Sequence, residues 1–596
     1  MERRTRTGPG MDRLAARSYA SSAEACRGRE CTVAARDVPV TLFREIPLVP
    51  FAIEACDRTR PFARSGGELV RELVRLLDRS SWREIAPRWL HLPEDEGRTG
   101  DALARAYAEF VYFEPYVQRY LFGERGERPE RAPIRLFRRD DVGAVDVAVR
   151  EPGAHEPACY RFRVDRLNLY LFDTGNAMLV LELRFDPDLA KRLPAGGGGR
   201  ARQTMSLALA LTLHERLRRV FPPYFAPFDT IGTRVPAEEG LVAPLFPIVF
   251  RAVSGDPARS VPNFTKDEDI RAAASIAHHR EHHSPPLHPT GRRFLEPLPI
   301  EGYAAGIQKI VLSQMGDDRA FALLILGVED AHAIDRSDWV RLAMADEAGE
   351  GLPYAAGFLE DFERRHCYDR FFDAATAMRT RFLFSPYAMA LVGSCAPPEK
   401  SGFDFFREVT ADHGRRHYFQ LALVAYFQKN ALLTLSERLA DALQAANGDP
   451  ERFEEAAEAI ENDVLRFTHR YWFEDISAQI QGQEVFDRLR EMLRLRPLYD
   501  QIAREVREAN QVSGAREQRE LARKAARLNR TVFWGLVITA ATGFLGMNVF
   551  GEEIVGRVGI VSFFLVGLFA FALFWLFWRL PIEQWLDGGC DRRERR

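Results

Sequence analysis

At 596 residues the chain exceeds what one hydrophobic core organises, so two or three domains are expected on length alone. A formal net charge of −3 gives no global case for nucleic-acid binding. The seven cysteines, Cys26, Cys31, Cys56, Cys159, Cys367, Cys395 and Cys590, are scattered and odd in number, which argues against a disulfide framework and for a reducing compartment.

In chain order, residues 1–37 form a polar leader without the apolar run of a secretory signal, and they are expected to be disordered. Residues 38–414 mix strand and helix signals and read as a cytoplasmic α/β domain, with room for an insertion near 187–300. Within it, Leu167–Phe172, the turn Asp173-Thr174-Gly175-Asn176 and Ala177–Phe185 have the pattern of a β-hairpin. A helix is expected from about Arg202 to Phe221, ending at Pro222-Pro223. Lys309–Ser313, Ala320–Leu326 and Arg381–Phe384 read as further strands.

From 415 to 530 the period becomes helical. His417–Ala446 carries Leu421, Leu423, Val424, Leu432, Leu435 and Leu439 at helical spacings. Asn447-Gly448 ends it, and Asp449-Pro450 starts another helix. Its first turns are acidic, from Glu451 to Glu461, and read as a solvated face. After Pro497 a helical pattern runs on for about fifty residues, or roughly 80 Å at 1.5 Å per residue. A polar helix of that length is expected to pack against copies of itself.

The C-terminus holds two uncharged apolar stretches, about 531–550 and 558–578, each about the twenty residues that cross a hydrocarbon core, within expected spans 531–550 and 558–580. They are expected to be transmembrane helices, joined by an outer loop at 551–557 and followed by a basic tail at 581–596. Arg516, Arg519, Arg523, Lys524, Arg527 and Arg530 precede the first stretch, and Arg592, Arg593, Arg595 and Arg596 close the chain. By the positive-inside rule both termini face the cytoplasm of a multi-pass inner (cell) membrane protein. Between the stretches stands Gly546-Met547-Asn548. Ala525, Val532, Thr539 and Gly546 recur every seven residues, the small or mildly polar line a parallel bundle requires; an ordinary helix–helix contact has the same spacing.

This arrangement resembles the CorA family of divalent-cation channels over about Leu521–Arg579. The matching parts are a final helix entering the membrane, Gly-Met-Asn, a short outer loop, and a second span with a basic tail. The fold class implied is an α+β cytoplasmic domain followed by long α-helices and two C-terminal transmembrane helices, here with an enlarged N-terminal part. The resemblance implies a homopentamer in membrane lipid, with Gly546, Met547 and Asn548 as its selectivity filter and Thr539 lining the pore. Glu552 and Glu553 would sit where the family carries cation-attracting loop residues. Leu545 departs from the aromatic residue common before the motif, the loop lacks the usual Pro-Glu, and Arg579 with a delayed Arg cluster replaces the usual Lys run.

Residue chemistry points the same way. Mg²⁺ gives up its water reluctantly, so neutral carboxamides that accept hydrogen bonds from those waters suit a filter. No phosphate-binding Gly-rich loop ending in Lys-Ser or Lys-Thr is present, so transport is expected to be passive and no enzymatic activity or organic cofactor is expected. A divalent ion gains about 4.6 kcal/mol crossing 100 mV inward, roughly a thousand-fold accumulation. The expected function is therefore potential-driven transport of Mg²⁺, with Co²⁺ and Ni²⁺ as further cargo. The alternatives are a zinc transporter of the same superfamily and a membrane-tethered metal-sensing or interaction protein without transport. A separate candidate is the imidazole run His278, His279, His282 and His283, with His288 nearby. Its ordinary reading is a solvated polar loop; as a site it suits a regulatory transition metal better than Mg²⁺.

Overall fold

The computed structural model describes most of residues 38–546, apart from 57–64, 86–99, 124–131, 150–157, 189–201, 219–227, 235–247, 253–279 and several shorter gaps. It also describes the isolated positions 567, 568, 571 and 575. The chain divides into two compact units, 1–508 and 509–596.

The first unit is organised by β1 (Pro39–Ala55), a 17-residue strand whose side chains are buried from Phe43 to Ile53. A strand buried on both faces reads as a near-continuous apolar run, and β1 does so. One edge pairs with β6 (Asn176–Phe185) and the other with β12 (Phe321–Val328) and then β11 (Ile310–Gln314), all antiparallel. Pro47 and Pro50 fall where these ladders break. The β6 register has no pair between Glu45 and Leu48, and Pro50 lies between the end of β12 pairing at Leu48 and the start of β11 pairing at Phe51. Proline has no amide hydrogen to give a ladder and is tolerated at such points.

The sheet has 13 strands. Its main order is β10 (Ile248–Ala252), β4 (Val142–Val149), β5 (Ala158–Phe172), β6, β1, β12, β15 (Ala388–Ser394), β14 (Thr380–Phe384) and β13 (Cys367–Phe371). The remaining members are β2 (Arg83–Ile85), β3 (Ile134–Arg138), β7 (Met205–Ser206) and β11. Only β12 and β15 run parallel among these pairings. A separate short pair joins β8 (Phe228–Asp229) to β9 (Thr233–Arg234). The expected hairpin is present as β5 and β6. Its turn needs Gly175 at φ 87°, and helix α1 (Gly66–Leu77) starts so close that a Cβ on Gly66 would lie 2.3 Å from the Thr174 carbonyl carbon. The three other expected strands appear as β11, β12 and β14.

Helices cover both faces. The others of the first unit are α2 (Gly100–Val111), α3 (Pro115–Phe122), α4 (Leu207–Leu217), α5 (Arg336–Met344), α6 (Ala356–His366), α7 (Phe419–Ala446), α8 (Pro450–Arg470) and α9 (Ile480–Met492). The helix expected over 202–221 is shorter, because Met205 and Ser206 pair with β1 and Ser206 caps α4 through the Leu209 amide. Leu167, Leu169 and Leu171 of β5 join the core that includes Leu69, Val70 and Leu73 of α1. Tyr170 and Phe172, with the opposite alternation, meet Phe419 and Phe427 of α7, the second pair stacked at 4.3 Å. Before α7 the chain is π-helical over Phe406–Thr410 and Gly414–Tyr418. The expected helix therefore starts at Phe419 rather than His417.

The last helix, α10 (Leu495–Gly546), has 52 residues, matching the long helix expected after Pro497. The expected architecture fails at the membrane. Among the described residues no helix is long and apolar enough to cross a bilayer, so the fold is a mixed α/β one with a large sheet and helices, not a CorA-like body with two membrane helices. The uncharged part of α10 starts only at Thr531, after Arg527 and Arg530, and the described helix stops at Gly546, short of the about twenty residues a span needs. Of the second expected span only 567, 568, 571 and 575 are described.

Candidate functional site

Three arrangements carry chemistry. The first is the described end of α10. Arg519, Arg523, Lys524, Arg527 and Arg530 are exposed and form a basic band. Beyond it Val532, Phe533, Leu536, Val537 and Ile538 are between 41% and 66% exposed. At 100° per residue these five positions occupy most of the helix circumference, the pattern of a helix that is covered in its working state. Ala525, Val532 and Thr539 are exposed on one side of α10, drifting by about 20° per heptad, and Gly546 ends the helix on the same line. Thr539 Oγ1 donates to the Gly535 carbonyl at 2.7 Å, and Thr531 Oγ1 to that of Arg527 at 3.1 Å. This back-bonding lets hydroxyls sit in an otherwise apolar helix. Met547, Asn548, Glu552 and Glu553 lie outside the described residues, as do His278, His279, His282, His283 and His288.

The second arrangement is a buried ionic cluster on the α7 side of the sheet. Glu182 of β6, wholly buried, accepts hydrogen bonds from Arg44 of β1 and Arg166 of β5, and from Arg415 Nε at 3.2 Å. Asp165 accepts from Arg44 Nη1 at 2.8 Å and Arg184 Nε at 3.1 Å. Arg166 also donates to the Arg415 carbonyl at 2.8 Å and lies 4.5 Å over the Phe419 ring. Burial, then the neighbouring Arg415, lower the Arg44 guanidinium to about 10 against the pull of Asp165. Burial alone would raise Asp165; Arg44 and Arg184 outweigh it and hold the carboxyl below its ordinary value. With its carboxylates engaged by guanidinium groups, the cluster ties the π-helical segment to the sheet rather than offering oxygen ligands to a metal.

The third is a carboxylate–imidazole pair on the opposite face. Glu45 of β1 and His214 of α4 are both fully buried, with His214 Nδ1 2.9 and 3.0 Å from the two carboxylate oxygens. Burial raises the Glu45 carboxyl, opposed by His214 and Arg218. His214 Nε2 has no hydrogen-bond partner, so the imidazole is oriented but engages no nucleophile.

Neither buried arrangement is legible from sequence spacing, because its members come from different strands and helices. The one local signal is the placing of Glu45, Asp165, Arg166 and Glu182 inside runs that otherwise read as buried strands. Among the described residues no group of three or more His, Cys, Asp or Glu side chains is placed to hold a metal ion. No family model, curated protein or solved structure matches the chain.

Proposed function

We propose that the chain is a passive divalent-cation transporter that works at a membrane as an assembly of its own copies, with Mg²⁺ as its main cargo. The observation that carries this reading is the described end of α10, which exposes apolar side chains around most of its circumference directly after a basic band. Water does not tolerate such a surface on an isolated helix, and lipid or further copies are what cover it. The exposed arginines suit anionic headgroups, each worth about 1 kcal/mol near such a surface. Along the same helix Ala525, Val532, Thr539 and Gly546 allow close approach of parallel copies, and Met547 and Asn548 follow directly in sequence. A ring of Asn548 carboxamides would offer neutral acceptors to the water shell of a divalent ion.

Uptake of Mg²⁺, Co²⁺, Ni²⁺ and Zn²⁺ by cells deficient in Mg²⁺ transport tests the proposal. Wild-type chain restores Mg²⁺ uptake, and Asn548→Asp and Asn548→Ala reduce it. Zn²⁺ uptake without Mg²⁺ uptake would make the protein a zinc transporter. Membrane binding with no uptake of any divalent ion, or uptake indifferent to both substitutions, would overturn the pore and leave a tethered sensor or interaction protein.

A further inference from the structure

Three adjacent strands of the first unit set arginines directly opposite one another. Arg44 of β1 pairs with Arg184 of β6, and Arg184 pairs with Arg163 of β5. Cross-strand partners share a face with their Cβ atoms about 4.5–5.5 Å apart, where like charges destabilise a sheet. Arg166, opposite Glu182, stands on that same face, and Arg415 reaches it from the π-helical segment. A row of cations that costs stability calls for an anion.

The carboxylates at hand answer only part of the charge. Asp165 lies 2.8 Å from Arg44 Nη1, 3.1 Å from Arg184 Nε and 3.9 Å from Arg163 Nε, so three guanidinium groups converge on it. Glu182 is shared by Arg44, Arg166 and Arg415. Asp186 comes no nearer to Arg184 than 3.9 Å. The lowering of Arg44 to about 10, by burial and then by Arg415, is the mark of crowded cations.

The donors that remain reach solvent. The side chains of Arg163, Arg184 and Arg415 are 57%, 29% and 30% exposed. Among the described residues Arg163 makes no hydrogen bond, while Arg184 and Arg415 each donate only from Nε. All three therefore keep both terminal nitrogens for a ligand. A guanidinium offers such nitrogens as a planar fork that matches two oxygens of a phosphate group. A tetrahedral dianion has oxygens for more than one fork, which a halide or a planar monoanion lacks.

We infer that Arg163, Arg184 and Arg415 form a binding site for a phosphate group, carried by inorganic phosphate or by a small phosphate monoester. Asp165 and Glu182 position its guanidinium groups. The site belongs to the sheet face and the π-helical segment and is independent of any transport by the chain.

Calorimetric titration of the full-length chain at constant ionic strength tests it, with inorganic phosphate, glycerol 3-phosphate and nitrate as probes. Phosphate binds saturably and nitrate does not. Tighter binding of glycerol 3-phosphate than of phosphate assigns the site to esters; equal or weaker binding assigns it to the free ion. Arg163→Ala removes one exposed fork, weakens phosphate about tenfold and keeps the wild-type unfolding midpoint. Arg163→Lys retains the charge without the fork and weakens phosphate less, about threefold, whereas Arg163→Glu abolishes binding. Absence of saturable phosphate binding to the wild type would overturn the inference. So would nitrate binding as tightly as phosphate, or phosphate affinity unchanged in both Arg163→Ala and Arg163→Glu.

Discussion

β1 and the end of α10 are both apolar segments, yet the chain treats them oppositely. In β1 every side chain from Phe43 to Ile53 is buried, because β6, β12 and β11 take its edges while α1, α4 and α7 take its faces. In α10, Val532 is 58%, Leu536 66% and Ile538 62% exposed. The first segment completes its burial within one copy; the second has the composition of a buried element and is left uncovered by the described residues. The difference separates residues that hold the fold together from apolar residues that the described part of the chain leaves exposed.

Substitutions in the two regions can break that distinction. The largest effect is expected at Leu324, which is wholly buried in β12: Leu324→Ala should cost about 2–5 kcal/mol in chemical unfolding. Leu536→Ala should leave unfolding of the sheet unchanged to within about 0.5 kcal/mol and instead weaken self-association. Equal destabilisation by the two would mean that α10 is already covered within one copy.

The ionic cluster gives an equally large effect. Glu182→Ala would leave Arg44, Arg166 and Arg415 facing one another without their shared carboxylate, a loss of about 3–5 kcal/mol by denaturant titration. A cost below about 1 kcal/mol would show that water reaches the cluster. Since Asp165 is held below its ordinary value, its contribution is complete at pH above about 4 and disappears as the pH falls through the depressed folded value. Asp165→Asn should remove that acid-limb dependence, measured as stability against pH below 5.

Glu45 carries the opposite sign and the smallest effect. Its carboxyl is raised in the folded state, so ionising it opposes folding, and stability falls as pH rises from the ordinary glutamate value toward the folded one. Glu45→Gln should flatten that fall while a carboxamide oxygen still meets His214 Nδ1. An unchanged slope would assign the dependence to another group.

Several parts of this molecule could be read from its residues. Asp173-Thr174-Gly175-Asn176 fixed the β5–β6 hairpin because only a turn with a positive-φ position suits that sequence. The 3.6-residue spacing from Leu421 to Leu439 marked α7, and the absence of proline between Pro497 and Gly546 marked α10. Other features were hidden for physical reasons. The length of β1 was masked by Pro47 and Pro50, whose tolerance depends on ladder breaks that only the partner strands define. The π-helical turns before α7 differ from α-helix by one residue per turn and leave little periodic trace. The cluster around Glu182 joins residues far apart in sequence through sheet register and helix packing. The membrane helices were read from uncharged apolar length and basic flanks; within the described residues, the charges at Arg527 and Arg530 and the end of α10 at Gly546 leave too short a run.

Whether copies of α10 meet one another is measured most directly by the mass of the full-length chain extracted in mild detergent. With a chain mass of 67.8 kDa, the prediction is a single species at about five times that value once bound detergent is subtracted, shifting to smaller species in Val532→Arg. A monomer in the wild type, or a complex whose size Val532→Arg leaves unchanged, would contradict it.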